Sequence, residues 1–412
     1  MIFLYVLIFS LPFYRHPILD AGFGALTVVK GIGALAVLCA FWHVSLNGLP
    51  DYFETRQAKL FFAIFAIALF SFLQHGKPPG VDSVKPIFIY FSMVFFYFVI
   101  VSLVDTPEKL RSCLFILLCS IAFASLYVLR EYQKYHSGLA SYRIQGLVVG
   151  DGNYFSLAAM LAVPIGYLWF TTERQPFYRW SILALLLPTS LAIACTGSRG
   201  GLLALVAFIG FVILRSKNRV RNALSLSLLL FPSMFLFADN PIRRLFYPDN
   251  GDKSAVRFRL ETWHAGLRMV HDHPLVGVGL GFFKPLIGSY GADIRHRLVA
   301  HNTYLEIAAE LGIVCFLLYL WMLWETYRSL EWTRRLAKEM KAPLLMNIVT
   351  GMQGGLIGYL VSSLFLSAEY VKFFWFYIFF SVALYRVTRR WALGKLRETA
   401  VPLPDLVEAP SV

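Results

Sequence analysis

Long apolar runs separated by short polar stretches occupy almost the whole chain. They lie near residues 1–14, 25–46, 58–74, 84–104, 110–130, 153–171, 180–196, 199–214, 222–238, 303–325, 343–367 and 371–388. Most are about 17 to 22 residues long, enough to cross roughly 30 Å of hydrocarbon at about 1.5 Å per residue. Lipid offers no partner to a backbone N–H or C=O, so spans of this kind are helices; barrel strands would be shorter and would alternate. The pattern predicts an all-α polytopic membrane protein of about twelve transmembrane helices, one integral membrane domain over 1–412. The exception is 239–302, which is too polar to span and is predicted to be a loop inserted between spans nine and ten. Within it Val256, Leu260, Trp263, Leu267 and Val270 recur at heptad-like spacing, which predicts an amphipathic helix lying on the membrane surface. The first run has neither a basic n-region nor a small-residue cleavage site and is read as a retained helix.

Composition agrees: 58% of the residues are hydrophobic and the mean hydropathy is +0.62, values that exclude an ordinary soluble domain. The charge, +14 in all, sets the orientation through its distribution. "RSKNRVR" (215–221) carries four basic residues and no acid, "YRSLEWTRRLAKEMK" (327–341) carries five, and five more follow from Arg386 onward. Short loops rich in Lys and Arg stay in the cytoplasm. With twelve crossings both termini are then cytoplasmic and 239–302 is external. That external segment holds nine Lys and Arg against six acids, and seven of the nine are Arg. Guanidinium forks match phosphate oxygens, so either a phosphorylated ligand or anionic lipid headgroups suit this face. Membrane lipids are expected partners; nucleic acid is not. Cys39, Cys113, Cys119, Cys195 and Cys315 are scattered through apolar runs without CxxC spacing and are expected to pack rather than to bridge or bind metal.

Four polar sites are predicted to lie on the external face. "TGSRGG" places Arg199 between glycines where the eighth span begins, a helix end suited to phosphate; the alternative is an Arg that snorkels to the headgroups. "YRIQGLVVGDGN" brings Arg143. On the amphipathic helix, Arg257, His264, Arg268 and His271 form a basic stripe, whereas Arg259 lies on the other flank of the apolar stripe. A charge beside an apolar surface needs a partner, either a buried anion or the ring of Trp263 one turn on. "HDH" (271–273) lacks the spacing of a metal site, and "HPLVGVGLGFF" lacks the strand that a dinucleotide loop requires. Finally, His301 stands just before a helix start, with Asn302 or Thr303 as the cap. The positive helix end favours a neutral imidazole, able to accept a proton at the outer rim; an interfacial His without chemistry is the other reading. Glu310, nine residues on and inside the expected span, is either functional or a buried link between helices.

Taken together, "HNTYLEIAAELGIVC" resembles the His-Asn-x-x-Leu-x-x-x-x-Glu-x-Gly-x-x-Gly signature of bacterial O-antigen ligases and the related O-antigen polymerases and O-oligosaccharyltransferases. "RLETWHAGLRMVHDHPLVGVGLGFF" resembles the Arg-x-x-x-Trp helix and Pro-Leu-x-Gly-x-Gly turn of that family. "TGSRGG" resembles its Ser-Arg-Gly motif, and "RIQGLVVGDGNYFSLA" its Arg-x-x-Gly loop. One position departs: the last Gly of the His signature is Cys315.

The resemblance implies a type-C glycosyltransferase of the bacterial inner membrane with a periplasmic active site. It would move a glycan from undecaprenyl diphosphate to a sugar hydroxyl of lipid A-core, without a metal or other cofactor. It implies His301 as general base, Arg199, Arg259 and Arg143 as diphosphate ligands, and Asn302, Arg257 and Glu310 as further candidates. Two alternatives share the family, a polysaccharide polymerase and a protein O-oligosaccharyltransferase. A twelve-span transporter belongs to another class. It would carry its charges near the bilayer midplane, where only Lys30 and Glu310 would serve, rather than at the outer rim.

Overall fold

The computed structural model describes residues 1–13, 22–23, 26–76, 78, 85–136, 152–215, 219–221, 224–228, 242, 246–247, 250–292 and 299–399. The helices are α1 (Ile2–Ser10), α2 (Val28–Asn47), α3 (Arg56–His75), α4 (Lys85–Leu103), α5 (Pro107–His136), α6 (Gly152–Thr172), α7 (Pro176–Cys195), α8 (Arg199–Arg215), α9 (Asn250–Asp272), the short α10 (Phe283–Leu286), α11 (Thr303–Glu339), α12 (Pro343–Ser362) and α13 (Lys372–Thr399). A 3-10 turn (Leu11–Phe13) extends α1, and a two-residue antiparallel pair joins Gly22–Phe23 to Leu26–Thr27. Local chemistry sets several boundaries. The hydroxyls of Thr27 and Thr55 accept the N–H groups of Lys30 and Ala58, and Pro176 and Pro343 open α7 and α12.

Eleven of the twelve expected runs hold helices in the expected places. The ninth, 222–238, lies outside the described residues except for 224–228, which are helical. Among the described residues, eight helices are long and apolar enough to cross a membrane. At the centre stands α13, buried on every side from residue 373 to 388, as expected of a helix that is apolar all round. Beside it α12 packs on α6 through a glycine seam. A Cβ on Gly351 would fall 2.7 Å from Ile165 Cα and from the Pro164 carbonyl oxygen, and one on Gly355 would fall 3.3 Å from the Met160 and Leu161 carbonyl oxygens. Small residues at four-residue spacing let backbones approach this closely.

The tenth run departs from expectation. Gly312 has φ 81 and ψ 171 inside α11, so the helix is two arms, 303–311 and 313–339. The Tyr304 and Tyr319 rings lie 6.4 Å apart, although fifteen residues of straight helix would separate them by about 22 Å. The short arm therefore folds back against the long one. The crossing begins after Gly312 rather than at Thr303, and Glu310, expected deeper than His301, lies nearer the bend than His301 does.

Contacts group the helix ends into two faces. On one, Leu280 N–H bonds Ser71 Oγ, Gly152 abuts Thr196, and Ser362 Oγ bonds the Gly200 carbonyl. On the opposite face, carboxylates bind the basic helix ends: Glu54 holds Arg386 and Arg389, Glu173 holds Arg111, and Glu331 pairs with Arg215, Arg334 and Arg335.

Candidate active site

The short arm begins at a corner made by Ala300, His301 and Asn302. Asn302 caps it, its Oδ1 accepting Leu305 N–H at 3.1 Å. Thr303 fastens it to the 363–371 connection: its N–H donates to the Ser363 carbonyl at 2.9 Å, its hydroxyl donates to the Leu366 carbonyl at 2.6 Å, and the same oxygen accepts Ala368 N–H at 2.9 Å. His301 sits between these anchors with φ +48, the left-handed region that non-glycine residues seldom adopt. Its N–H donates to Ser367 Oγ at 3.0 Å. The residue is half-buried, with Nδ1 out of contact with solvent.

The helices that carry two of the three predicted arginines are tied to this corner through neighbouring residues. Arg199 is the first residue of α8, and the carbonyl of its neighbour Gly200 accepts Ser362 Oγ at 3.3 Å; Ser363, next in the chain, holds Thr303. Arg259 is one turn from Trp263, whose indole N–H donates to the Ala300 carbonyl at 2.9 Å. Both arginines are half-buried. Arg257, by contrast, is 81% exposed and paired with Glu261 at 3.0 Å. Arg143 lies outside the described residues.

The packed face of α9 is Thr262, Ala265, Gly266 and Met269, rotated from the expected apolar stripe. Gly266 sets this rotation, since a Cβ there would fall 3.0 Å from both Leu305 and Phe283. Val256, Leu260 and Leu267 remain exposed, and Arg259 falls between that stripe and the packed face.

Glu310 is a loop anchor. Its carboxylate accepts Gly281 N–H at 2.9 Å, Phe283 N–H at 3.1 Å and the Tyr370 hydroxyl at 3.0 Å. The "HPLVGVGLGFF" turn threads between this carboxylate and the bend. Gly277, Gly279 and Gly281 all have positive φ, and a Cβ on Gly277 would fall 2.3 Å from the Glu310 carbonyl. Here the glycines serve close backbone approach.

Sequence reasoning missed the 363–371 connection, whose apolar Leu364, Phe365 and Leu366 merge with the preceding run. The polar signal was the set Ser362, Ser363, Ser367 and Glu369, dense for a membrane segment. Glu369 is buried, and its Oε2 has no hydrogen-bond partner among the described residues. Burial pushes its carboxyl up to about 8, and the neighbouring charge of Glu310 adds to the rise. Among the described residues no three His, Cys, Asp or Glu side chains are grouped to hold a metal ion.

Residues 181–320 match the family model described as O-Antigen ligase. The matched region runs from α7 to the start of the long arm of α11 and includes Arg199, Arg259, His301, Asn302 and Glu310. No curated protein matches the chain.

Proposed function

We propose, from the premise that this chain belongs to the O-antigen ligase family of glycosyltransferases, that it transfers a glycan from undecaprenyl diphosphate to a sugar hydroxyl of lipid A-core at the periplasmic side of the inner membrane. His301 accepts the proton of the acceptor hydroxyl as that oxygen bonds to the anomeric carbon, a role worth typically 10² to 10⁴ in rate. The bond from that carbon to the diphosphate breaks, and the electron pair leaves with the diphosphate. Arg199 and Arg259 meet the growing negative charge. Each such contact supplies about 4 kcal/mol at an effective dielectric of 20 and a separation of 4 Å. Arg143 is assigned to the same diphosphate from the sequence motif alone. Asn302 holds the helix start beside the base, and Glu310 holds the glycine turn.

The observation that supports this reading best is the convergence of three separated stretches at the Ala300–Thr303 corner. The α8 start bearing Arg199 is tied to it through Ser362 and Ser363, and α9 bearing Arg259 is tied through Trp263. The test is transfer by purified protein in detergent from a defined undecaprenyl diphosphate glycan to lipid A-core, with and without chelator. Transfer is expected to be chelator-insensitive and to fall by about 10²- to 10⁴-fold in His301→Ala while that variant unfolds like the parent. Undiminished transfer by His301→Ala would remove the base assignment. Elongation of a second carrier-linked glycan, with lipid A-core left unmodified, would make the enzyme a polymerase.

A further inference from the structure

We infer that Glu306 and Ser367 form a positioning pair that imposes the left-handed backbone on His301 and so aims its imidazole. The inference rests on the reading of His301 as base. Neither residue belongs to the His-Asn signature: Glu306 lies at one of its unspecified positions, and Ser367 lies beyond the region matched to the family.

Glu306 is 3% exposed and stands one turn into the short arm, facing back toward the corner. Ser367 donates its hydroxyl to Glu306 Oε2. The His301 N–H donates to Ser367 Oγ at 3.0 Å. The His301 N–H is thus held to one side by the serine hydroxyl, which the Glu306 carboxylate orients in turn.

A residue with φ +48 needs such a tether, because the left-handed region is costly for a side chain heavier than glycine and persists only where its surroundings determine it. Ser367 is itself fixed from behind. Its carbonyl accepts the Tyr154 hydroxyl at 2.8 Å, and Thr303 grips the residues on either side of it. The hydroxyl of Ser367 therefore has one direction in which to accept and one in which to donate. The arrangement resembles the outer-shell support that orients ligands and bases elsewhere, where losing the supporting group typically costs about 10- to 100-fold.

The test measures kcat and KM for the carrier-linked donor in Ser367→Ala, Glu306→Gln and Ser367→Thr, each alone and with His301→Ala. Ser367→Ala and Glu306→Gln are expected to lower kcat by about 10- to 100-fold, while KM stays within about twofold. Ser367→Thr, which keeps a hydroxyl, is expected to restore most of kcat. In the His301→Ala background, neither Ser367→Ala nor Glu306→Gln should lower the residual rate further. Thermal unfolding of each variant separates loss of aim from loss of fold. Parental kcat in both Ser367→Ala and Glu306→Gln would overturn the inference. So would a fall in kcat that only tracks the folded fraction, or an undiminished further loss when His301 is already absent. A fully active His301→Ala would instead remove the base reading, whereas an inactive His301→Ala beside fully active Ser367→Ala and Glu306→Gln would sink the positioning pair alone.

Discussion

Replacing Gly312 with Ala should unseat the bent end of α11. Its backbone at φ 81 and ψ 171 falls in a region essentially restricted to glycine, where a side chain costs about 1–3 kcal/mol. A Cβ at this position would also stand 2.1 Å from the Leu275 carbonyl oxygen and 2.4 Å from its carbon, backbone atoms with no rotamer to turn. Clearing that clash means drawing the glycine turn away from the bend. That loosens the bonds from Val278 N–H to Ala309 O, Gly279 N–H to Glu310 O and Ile313 N–H to Pro274 O, each worth about 0.5–1.5 kcal/mol. Together these put the cost at about 2.5–7.5 kcal/mol, a large part of the roughly 5–15 kcal/mol by which folded proteins are stable. The assay is thermal unfolding in detergent, followed by reaction of a thiol-specific dye with the buried Cys113, Cys195 and Cys315. The midpoint should fall by about 5 °C or more. Gly210→Ala is the control: no atom lies within 4 Å of a Cβ there, and in mid-helix the change should be neutral or stabilising by up to about 1 kcal/mol. Equal midpoints for the two variants would refute the account of the bend.

Three further outcomes are expected. Turnover should fall in acid, because only the neutral His301 ring accepts a proton; a rate independent of pH from 5 to 8 would count against His301. Arg199→Ala or Arg259→Ala should lower kcat/KM for the donor by about 10²- to 10³-fold, whereas Arg257→Ala, which breaks an exposed pair worth about 0.2–1 kcal/mol, should change it by less than about threefold; equal losses at all three positions would argue against a localised diphosphate site. On the opposite face, burial disfavours the Glu173 carboxylate, but Trp169, the backbone N–H groups of Gln175 and Arg174, and Arg111 outweigh it and hold its pKa below the usual range. Its contribution is therefore present above the unfolded value of about 4.3 and lost as pH falls through the lower folded value. Glu173→Gln should cost up to about 3 kcal/mol at pH 7, and the gap in unfolding temperature from the parent should narrow in acid; a gap that widens would reverse that sign.

The apolar runs made the spans legible, since a membrane helix announces itself by length and composition alone. Arg259 could likewise be separated from Arg257 by helical geometry, and their exposures differ in the same sense. The bend at Gly312 could not be read from sequence. A glycine in an apolar helix is ordinarily tolerated, and only the Leu275 carbonyl lying against it, a contact across 37 residues of chain, explains why glycine is required. The rotation of α9 was hidden for a related reason: Ala265 and Gly266 weigh little in a hydrophobic pattern but permit close packing. Glu306 and Ser367 were hidden because their partners are backbone groups of a corner that exists only once the short arm has folded back.

That fold has a consequence for side reactions. Tyr319 lies seven residues beyond Gly312, so the histidine corner, which lies level with it, is sunk about 10 Å beneath the turn of the helix. On the proposed reading, an acceptor hydroxyl reacting at that depth has less bulk water beside it than one at the bend would have. Hydrolysis of the activated sugar, the loss to which any such donor is exposed, should accordingly be slow beside transfer even when acceptor is scarce.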